Sequence, residues 1–200
     1  MPSIIVGSRA AGYFSISIQY QKLQMKTLTT IITFTITVFV GYESMGISSD
    51  STENIPDGVV IIDQNQPIDS FDELTEYFKG KAFFIDNWAP WCSPCIQEFE
   101  FAESLHKFLK EHNIEIVYLN SDSEIEMEKW IELINEHKLT GYHLRESRPL
   151  KYDMKDKGID SQRLPQYLLV DKEGQVLEKN TLRPSASSEL YNQIESLLNE

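Results

Sequence analysis

Short apolar runs separated by amphipathic stretches mark the chain from residue 59 onward. A continuous apolar run of four to eight residues is typical of a strand buried on both faces of a sheet. Runs of this kind, or shorter ones beside turn residues, predict strands at Val59–Ile62, Ala82–Ile85, Ile114–Leu119, Tyr142–Leu144, Tyr167–Val170 and Gln175–Lys179. Asp171 to Gly174 separates the last two as a turn, with glycine where a positive φ is needed.

The stretches between these runs have helical periodicity. Residues 92–111 carry one apolar stripe at three- and four-residue steps, whose members are Cys95, Phe99, Ala102, Leu105 and Leu109. The opposite, polar face is assigned to Gln97, Glu98, Glu103, Lys107 and Lys110. Capping boxes predict two more helices, from Ser70 to about Lys79 and from Ser123 to about Lys138. Further helices are expected at Leu150–Lys155 and Ser188–Leu198.

This order of elements mixes parallel crossovers with a terminal hairpin. It predicts an α/β fold, a central mixed β-sheet flanked by helices on both faces. We expect one such domain over residues 59–200, preceded by a linker at 43–58 that contains Asp, Ser, Asn and Pro.

Residues 1–42 form an N-terminal extension with a targeting signal. Leu28–Val40 is an apolar run interleaved with threonine, and Lys26 lies just before it. The run is short for a membrane span, which needs about 20 apolar residues, and it resembles the apolar region of a signal peptide. We expect a cleaved signal peptide or an uncleaved anchor, with Met25 as a possible functional start; a β-strand is the alternative for the alternating Thr and Ile/Phe.

Charge separates this extension from the rest of the chain. The first 42 residues contain three basic residues and no acid, so the formal net charge of −13 leaves −16 on residues 43–200. An acidic domain without a Lys/Arg run is unsuited to nucleic acid, whose phosphates must be neutralised.

The chain has two cysteines, Cys92 and Cys95, separated by Ser93-Pro94. Two cysteines are too few for a four-cysteine zinc site, and a stapled secreted scaffold would have more at wider spacings. Cys92 falls where a buried strand ends and a helix begins, where backbone N–H groups and the helix dipole stabilise a thiolate. Cys95, one turn later, closes a small disulfide ring. We therefore expect Cys92 to be the exposed nucleophile and Cys95 the buried resolving thiol.

A metal site is the competing interpretation of the same pair, and it would need a third ligand. The histidines show no ligand spacing, and His106 and His112 are expected at the surface. No metal and no other cofactor is predicted.

The stretch FFIDNWAPWCSPC, residues 83–95, resembles the signature of the thioredoxin superfamily, an apolar strand followed by WAxWCxPC. The resemblance covers about residues 68–198. The N-terminal segment, the acidic domain and the stretch LPQYLLVDKEGQV, residues 164–176, make the chain most similar to the TlpA/ResA-like envelope branch.

The resemblance implies roles for four further residues. Asp86 matches the family's buried acid beneath the dithiol, with a raised pKa and a proton to exchange with Cys95. Pro165 matches the cis-proline beside the active site, where the backbone of Leu164 would meet an incoming peptide. Trp91 would offer that peptide an apolar contact. Asn87 and Gln166 depart from the family pattern.

The implied function is a periplasmic or cell-envelope protein-disulfide reductase, acting as a monomer. Its expected partners are disulfide-bearing envelope proteins and a membrane thiol electron donor, and cytochrome c maturation is one role that the branch allows. An oxidase or isomerase of the same fold, or a metal-binding chaperone, remains the alternative.

Overall fold

Residues 55–64 and 66–199 are described by a computed structural model. The predicted signal segment, including Met25 and Leu28–Val40, lies outside the described residues, as do residues 43–54 of the predicted linker. Within the described part of the chain, no helix has both the length and the apolar character to cross a membrane.

Six strands form one mixed sheet. The strands are β1 (Val59–Ile61), β2 (Ala82–Trp88), β3 (Ile114–Asn120), β4 (Gly141–Arg145), β5 (Gln166–Val170) and β6 (Val176–Glu178). Their order across the sheet is β1-β4-β3-β2-β5-β6. The four strands from β1 to β2 are parallel, and β5 and β6 are antiparallel to their neighbours. The strand β2 is therefore central, which explains its continuous apolar sequence.

The helices are α1 (Phe71–Tyr77), α2 (Ser93–Glu98), α3 (Ala102–Glu111), α4 (Met127–Glu136), α5 (Arg148–Asp156) and α6 (Ser188–Leu198). Short 3-10 turns lie at Phe99–Phe101 and Pro184–Ala186. The turn at Phe99–Phe101 interrupts the single helix predicted for residues 92–111.

Helices cover both faces of the sheet, as predicted. On one face, Phe84 of β2 packs in a core that includes Leu105 of α3, Trp130 of α4 and Ile194 of α6. On the other face, the core contains residues of β2 and β3 together with α1 and α5, among them Phe83, Val117, Leu74 and Leu150. Successive residues of β2 thus alternate between two cores.

Most predicted strand positions are confirmed, with β2 three residues longer than its apolar run. Gly174 has the expected positive φ of 84°, and a Cβ there would lie 3.0 Å from Cβ of Thr75.

The helix start predicted at Ser123 from the capping box is wrong. The helix α4 begins only at Met127, and its N-cap, Glu126, makes no capping bond through its side chain. Asn120 Oδ1 instead accepts from the Asp122 N–H at 3.0 Å, and Asp122 Oδ1 accepts from the Glu124 N–H at 3.1 Å. These local bonds hold a turn where the motif predicted a helix.

Candidate active site

The two cysteines lie at the carboxyl end of the central strand. The Cys92 N–H donates to the Ala89 carbonyl at 2.9 Å, which turns the chain just after β2. Cys92 is the N-cap of α2, and its Sγ accepts from the Cys95 N–H at 3.3 Å. Pro94 lies in the first turn of α2, where its missing N–H leaves no helical bond unmade. The two sulfur atoms form a disulfide of 2.03 Å.

In this disulfide form both cysteines are buried. Cys92 retains 4% of its surface exposed, and Cys95 has none. The expectation of an exposed Cys92 is thus wrong for the oxidised state, because Cys92 and Cys95 both pack in the core that contains Trp88 and Phe99. Of the two cysteines, Cys92 alone keeps some exposed surface, so a partner can approach the pair only from the side of Cys92.

Asp86 lies on β2, six residues before Cys92, and is 2% exposed. Alternation along the strand places its side chain on the same face as Phe84 and Trp88, which belong to the core that holds the cysteines. Its Oδ1 has no hydrogen-bond partner among the described residues. Burial raises the pKa of Asp86 well above its usual value, and the nearby carboxylate of Glu98 raises it further. A buried carboxylate with a raised pKa binds a proton more readily than an exposed one, which suits it to take up the proton of a thiol and release it again.

Glu98 is the charged residue that sequence reasoning misplaced. The sequence pattern places it on the polar face of its helix, yet it is only 7% exposed. Its carboxylate accepts from the Ser185 N–H at 2.8 Å and from the Ser185 hydroxyl at 3.0 Å, which compensates for its burial. The spacing in the sequence indicates this burial, because a residue three positions after the buried Cys95 lies on the same face of the helix.

The Leu164–Pro165 peptide bond is cis, as the resemblance implied. Gln166, which follows it, pairs with Asn87 at the carboxyl end of β2. The cis bond therefore lies at the same edge of the sheet as the turn to Cys92. Leu164 is half-buried against the core that contains both cysteines.

Asn87 departs from the family pattern, and the structure gives it a position on the other face of β2. Its side-chain N–H donates to the Ser161 carbonyl at 2.9 Å, and its Oδ1 accepts from the Ser121 hydroxyl at 2.6 Å. These bonds attach the segment that leads to Leu164 to the central strands.

Trp91 is 65% exposed beside Cys92, whereas Trp88 is fully buried. An exposed indole next to a reactive sulfur is a suitable contact for the apolar part of a peptide. Trp88 is therefore a core residue, and Trp91 is a surface residue beside the dithiol.

The histidines are not all at the surface. His112 is exposed, as expected, but His106 is half-buried and its Nε2 lies 2.6 Å from the Tyr118 hydroxyl. His143 is fully buried. Among the described residues, no three His, Cys, Asp or Glu side chains are grouped so that they could hold a metal ion.

Comparison with known proteins gives a consistent result. The Redoxin family model matches residues 51–194. The chain is 26% identical over 155 residues to a thiol-disulfide oxidoreductase ResA of Bacillus cereus, which covers 72% of this chain and 76% of that protein. It is 34% identical over 83 residues to ResA of Bacillus subtilis, covering 42% of this chain and 41% of that protein.

Among solved structures, the thioredoxin domain of a thiol-disulfide oxidoreductase from Bacteroides vulgatus is similar with a TM-score of 0.50 and 27% identity. The match covers 62% of this chain and 84% of that chain. The predicted thioredoxin-like α/β fold is thereby confirmed.

Proposed function

The chain belongs to the Redoxin family, and from this premise we propose that it is a thiol–disulfide oxidoreductase that reduces disulfide bonds in partner proteins. The observation that carries the proposal is the Cys92–Cys95 disulfide at the start of α2, with a buried acid on the strand that precedes it. The ResA relatives are named thiol-disulfide oxidoreductases, which supports the general activity.

In the reduced protein, the Cys92 thiolate attacks one sulfur of the partner disulfide. A mixed disulfide forms on Cys92, and the other partner sulfur leaves as a thiolate that takes up a proton. Cys95 then gives its proton to Asp86 and attacks the Cys92 sulfur, which releases the second partner thiolate. The partner gains two electrons, and Cys92–Cys95 becomes the disulfide seen here. A dithiol donor must then reduce it.

The surface beside Cys92 supports a polypeptide as substrate. Trp91 offers an exposed ring, and the backbone of Leu164 before cis-Pro165 lies at the same edge of the sheet. An extended peptide that contacts both would present its disulfide to the one cysteine with residual exposure.

Reduction is favoured over oxidation or isomerisation by the residues around the dithiol. Strong oxidases of this fold often carry histidine at the position of Pro94. Proline at this position, together with Trp91 and Asp86, favours a reductase. The apolar segment Leu28–Val40 supports placement in the cell envelope, with disulfide-bearing envelope proteins as substrates and a membrane thiol carrier as electron donor.

Trapping is the direct test of the mechanism. The Cys95→Ser variant should accumulate mixed disulfides through Cys92 in cell envelopes, visible as bands that disappear on reduction. The Cys92→Ser variant is the matched control and should trap none. Absence of trapped species with Cys95→Ser would contradict the proposal.

The direction of electron flow has a separate test. Equilibration with glutathione or dithiothreitol buffers should give a midpoint nearer the about −270 mV of thioredoxin than the about −120 mV of a strong periplasmic oxidase. A midpoint near the latter value would favour the oxidase. Tight stoichiometric zinc or copper on the reduced protein, without disulfide turnover, would favour the metal-binding module.

A further inference from the structure

Four titratable side chains form a row across neighbouring strands of the sheet. Asp86 of β2 is in register with Tyr118 of β3 and with Tyr167 of β5, and Tyr118 is in register with His143 of β4. All four are buried. Register partners on one face of a sheet are close neighbours. The acid beneath the dithiol is therefore flanked by a phenol on each side.

The two tyrosines that flank Asp86 differ in the hydrogen bonds of their hydroxyl groups. The Tyr167 hydroxyl has no hydrogen-bond partner among the described residues. The Tyr118 hydroxyl lies 2.6 Å from His106 Nε2, and His106 Nδ1 lies 3.1 Å from the Thr140 hydroxyl. Thr140 is exposed. A connected series of polar groups thus leads from Tyr118, beside Asp86, to the surface.

This series ends at the edge of the sheet opposite the dithiol. His106 and Thr140 line an open groove of about 980 Å³, together with the first residues of β2, β3 and β4. The dithiol follows the last residue of β2. A partner protein bound at Cys92 would leave this groove uncovered.

His106 has the protonation state that a relay needs. Burial lowers its pKa to about 4, so the ring is neutral at neutral pH. A neutral imidazole takes a proton on one nitrogen and releases one from the other. Its hydrogen bonds to Tyr118 and Thr140 use the two nitrogens separately.

We propose that Tyr118 and His106 carry protons between Asp86 and this groove, so that the buried acid exchanges its proton with solvent while a partner covers the dithiol. The inference rests on the proposed function. It makes Tyr118 and His106 positioning residues that act through Asp86.

The proton balance is simple. The Cys95 proton passes to Asp86 when Cys95 attacks the mixed disulfide. Asp86 passes a proton to the Tyr118 oxygen as the Tyr118 proton moves to His106 Nε2, and the Nδ1 proton leaves toward Thr140 and solvent. No electrons move along this route. The route requires the Asp86 carboxyl to reach the Tyr118 oxygen, either by turning toward it or through one bridging water.

The other groups around Asp86 offer no equivalent route. From α2, Glu98 faces it, but that carboxylate accepts two hydrogen bonds from Ser185. From β5, Tyr167 faces it without a hydrogen-bond partner among the described residues. The guanidinium of Arg183 acts on Tyr167 from the following loop.

The test follows the Cys95 attack directly. Cys92 is loaded with thionitrobenzoate at low pH, and a jump to neutral pH starts its release, recorded by absorbance in a stopped-flow instrument. In dilute buffer, Tyr118→Phe and His106→Ala should each slow the release by about tenfold, a modest part of what acid–base catalysis contributes. The double variant should be no slower than either, because both act in one route.

Added imidazole should restore release in His106→Ala, since the groove admits it, and leave Tyr118→Phe slow. Tyr167→Phe is the matched control: it removes a phenol hydroxyl at the same register from Asp86, and its release should change by less than about twofold. His106→Gln, which keeps a hydrogen-bonding side chain but relays no proton, provides a second variant if His106→Ala unfolds.

If Tyr118→Phe and His106→Ala both release thionitrobenzoate at the wild-type rate, the proposed proton route is wrong. Slow release in His106→Ala that imidazole leaves unchanged would also overturn the route, because a purely structural role predicts this. Equal slowing by Tyr167→Phe and Tyr118→Phe would assign the effect to the polarity around Asp86 instead. If the wild-type protein itself releases no thionitrobenzoate, the proposed function fails and not the route alone.

Discussion

Two buried carboxyl groups near the dithiol differ in how their burial is compensated. Glu98 accepts hydrogen bonds from the Ser185 N–H and hydroxyl. Asp86 Oδ1 has no such partner among the described residues, and its pKa is raised by burial and by Glu98. Asp86 therefore binds a proton more readily than an ordinary carboxylate, as the proposed role of proton acceptor for Cys95 requires.

Replacement of Asp86 by Asn should raise the stability of the protein and slow the resolution of its mixed disulfide. The folded pKa of Asp86 lies above the unfolded value of 3.8, so wild-type stability falls as pH rises through that window. Asn carries no charge to bury, and the gain in stability over wild type should grow as pH rises above the unfolded pKa. Loss of the proton acceptor should slow mixed-disulfide resolution by about 10²-fold.

Urea unfolding at several pH values and stopped-flow resolution rates check both parts of this expectation. Glu100→Gln, at an exposed position in the 3-10 turn Phe99–Phe101, is the control and should alter neither quantity. A destabilised Asp86→Asn protein would show that the Asp86 carboxyl makes a favourable contact in the folded state.

Single residues also show why part of the site could be predicted and part could not. The burial of Asp86 follows from a local pattern, an acid within a central apolar strand. The burial of Glu98 depends on Ser185, which lies 87 residues further along the chain, so no local pattern reveals it. The same holds for His106, whose partner Tyr118 belongs to the next strand.

At the scale of elements, one sequence motif has two different outcomes. Ser70 and Ser123 each begin an S-x-x-E pattern. Ser70 caps α1, and its hydroxyl accepts from the Glu73 N–H at 3.2 Å. Ser123 is exposed in a turn held by Asn120 and Asp122. The motif describes a local preference, and competing side-chain bonds just before it decide whether a helix begins there.

Ser70→Ala should lower the free energy of unfolding by about 1 kcal/mol, because the Glu73 N–H loses its acceptor. Ser123→Ala, the matched control from the same motif, should change it by less than about 0.5 kcal/mol. Urea denaturation of both variants measures the difference. Equal losses in the two variants would mean that Ser123 also stabilises the native chain through a cap.

For the whole molecule, the face of the sheet beneath the dithiol combines an apolar core with buried titratable groups. The core on this face includes Trp88, Phe99 and Trp130. Asp86 and His143 lie among these residues, where burial favours the neutral form of each. The sequence predicted the layers and strand positions, since these follow from periodicity. The row of titratable side chains depends on strand register, which one sequence does not specify.

A buried aspartic acid and a buried histidine, each neutral in the folded protein, have opposite effects on stability as pH falls. Between pH 6.5 and about 4, the unfolded chain protonates His143 and His106 while the folded protein does not, so both lower stability as pH falls. Burial raises the pKa of Asp86 in the folded protein, so Asp86 acts in the opposite direction and stabilises the native protein as pH falls. In wild type, the Asp86 effect therefore opposes that of the two histidines.

The Asp86→Asn background removes this opposing effect, so that the effect of the histidines on stability can be measured alone. There, His143→Gln should reduce the slope of unfolding free energy against pH by up to about 1.4 kcal/mol per pH unit between pH 6.5 and 4, since one uncompensated proton uptake is lost. Gln can still donate to the Leu139 carbonyl, which accepts from His143 at 2.8 Å. His112→Gln, at an exposed position, is the control. Urea unfolding across this range measures both slopes, and an unchanged slope in His143→Gln would mean that the folded protein protonates His143 as readily as the unfolded chain.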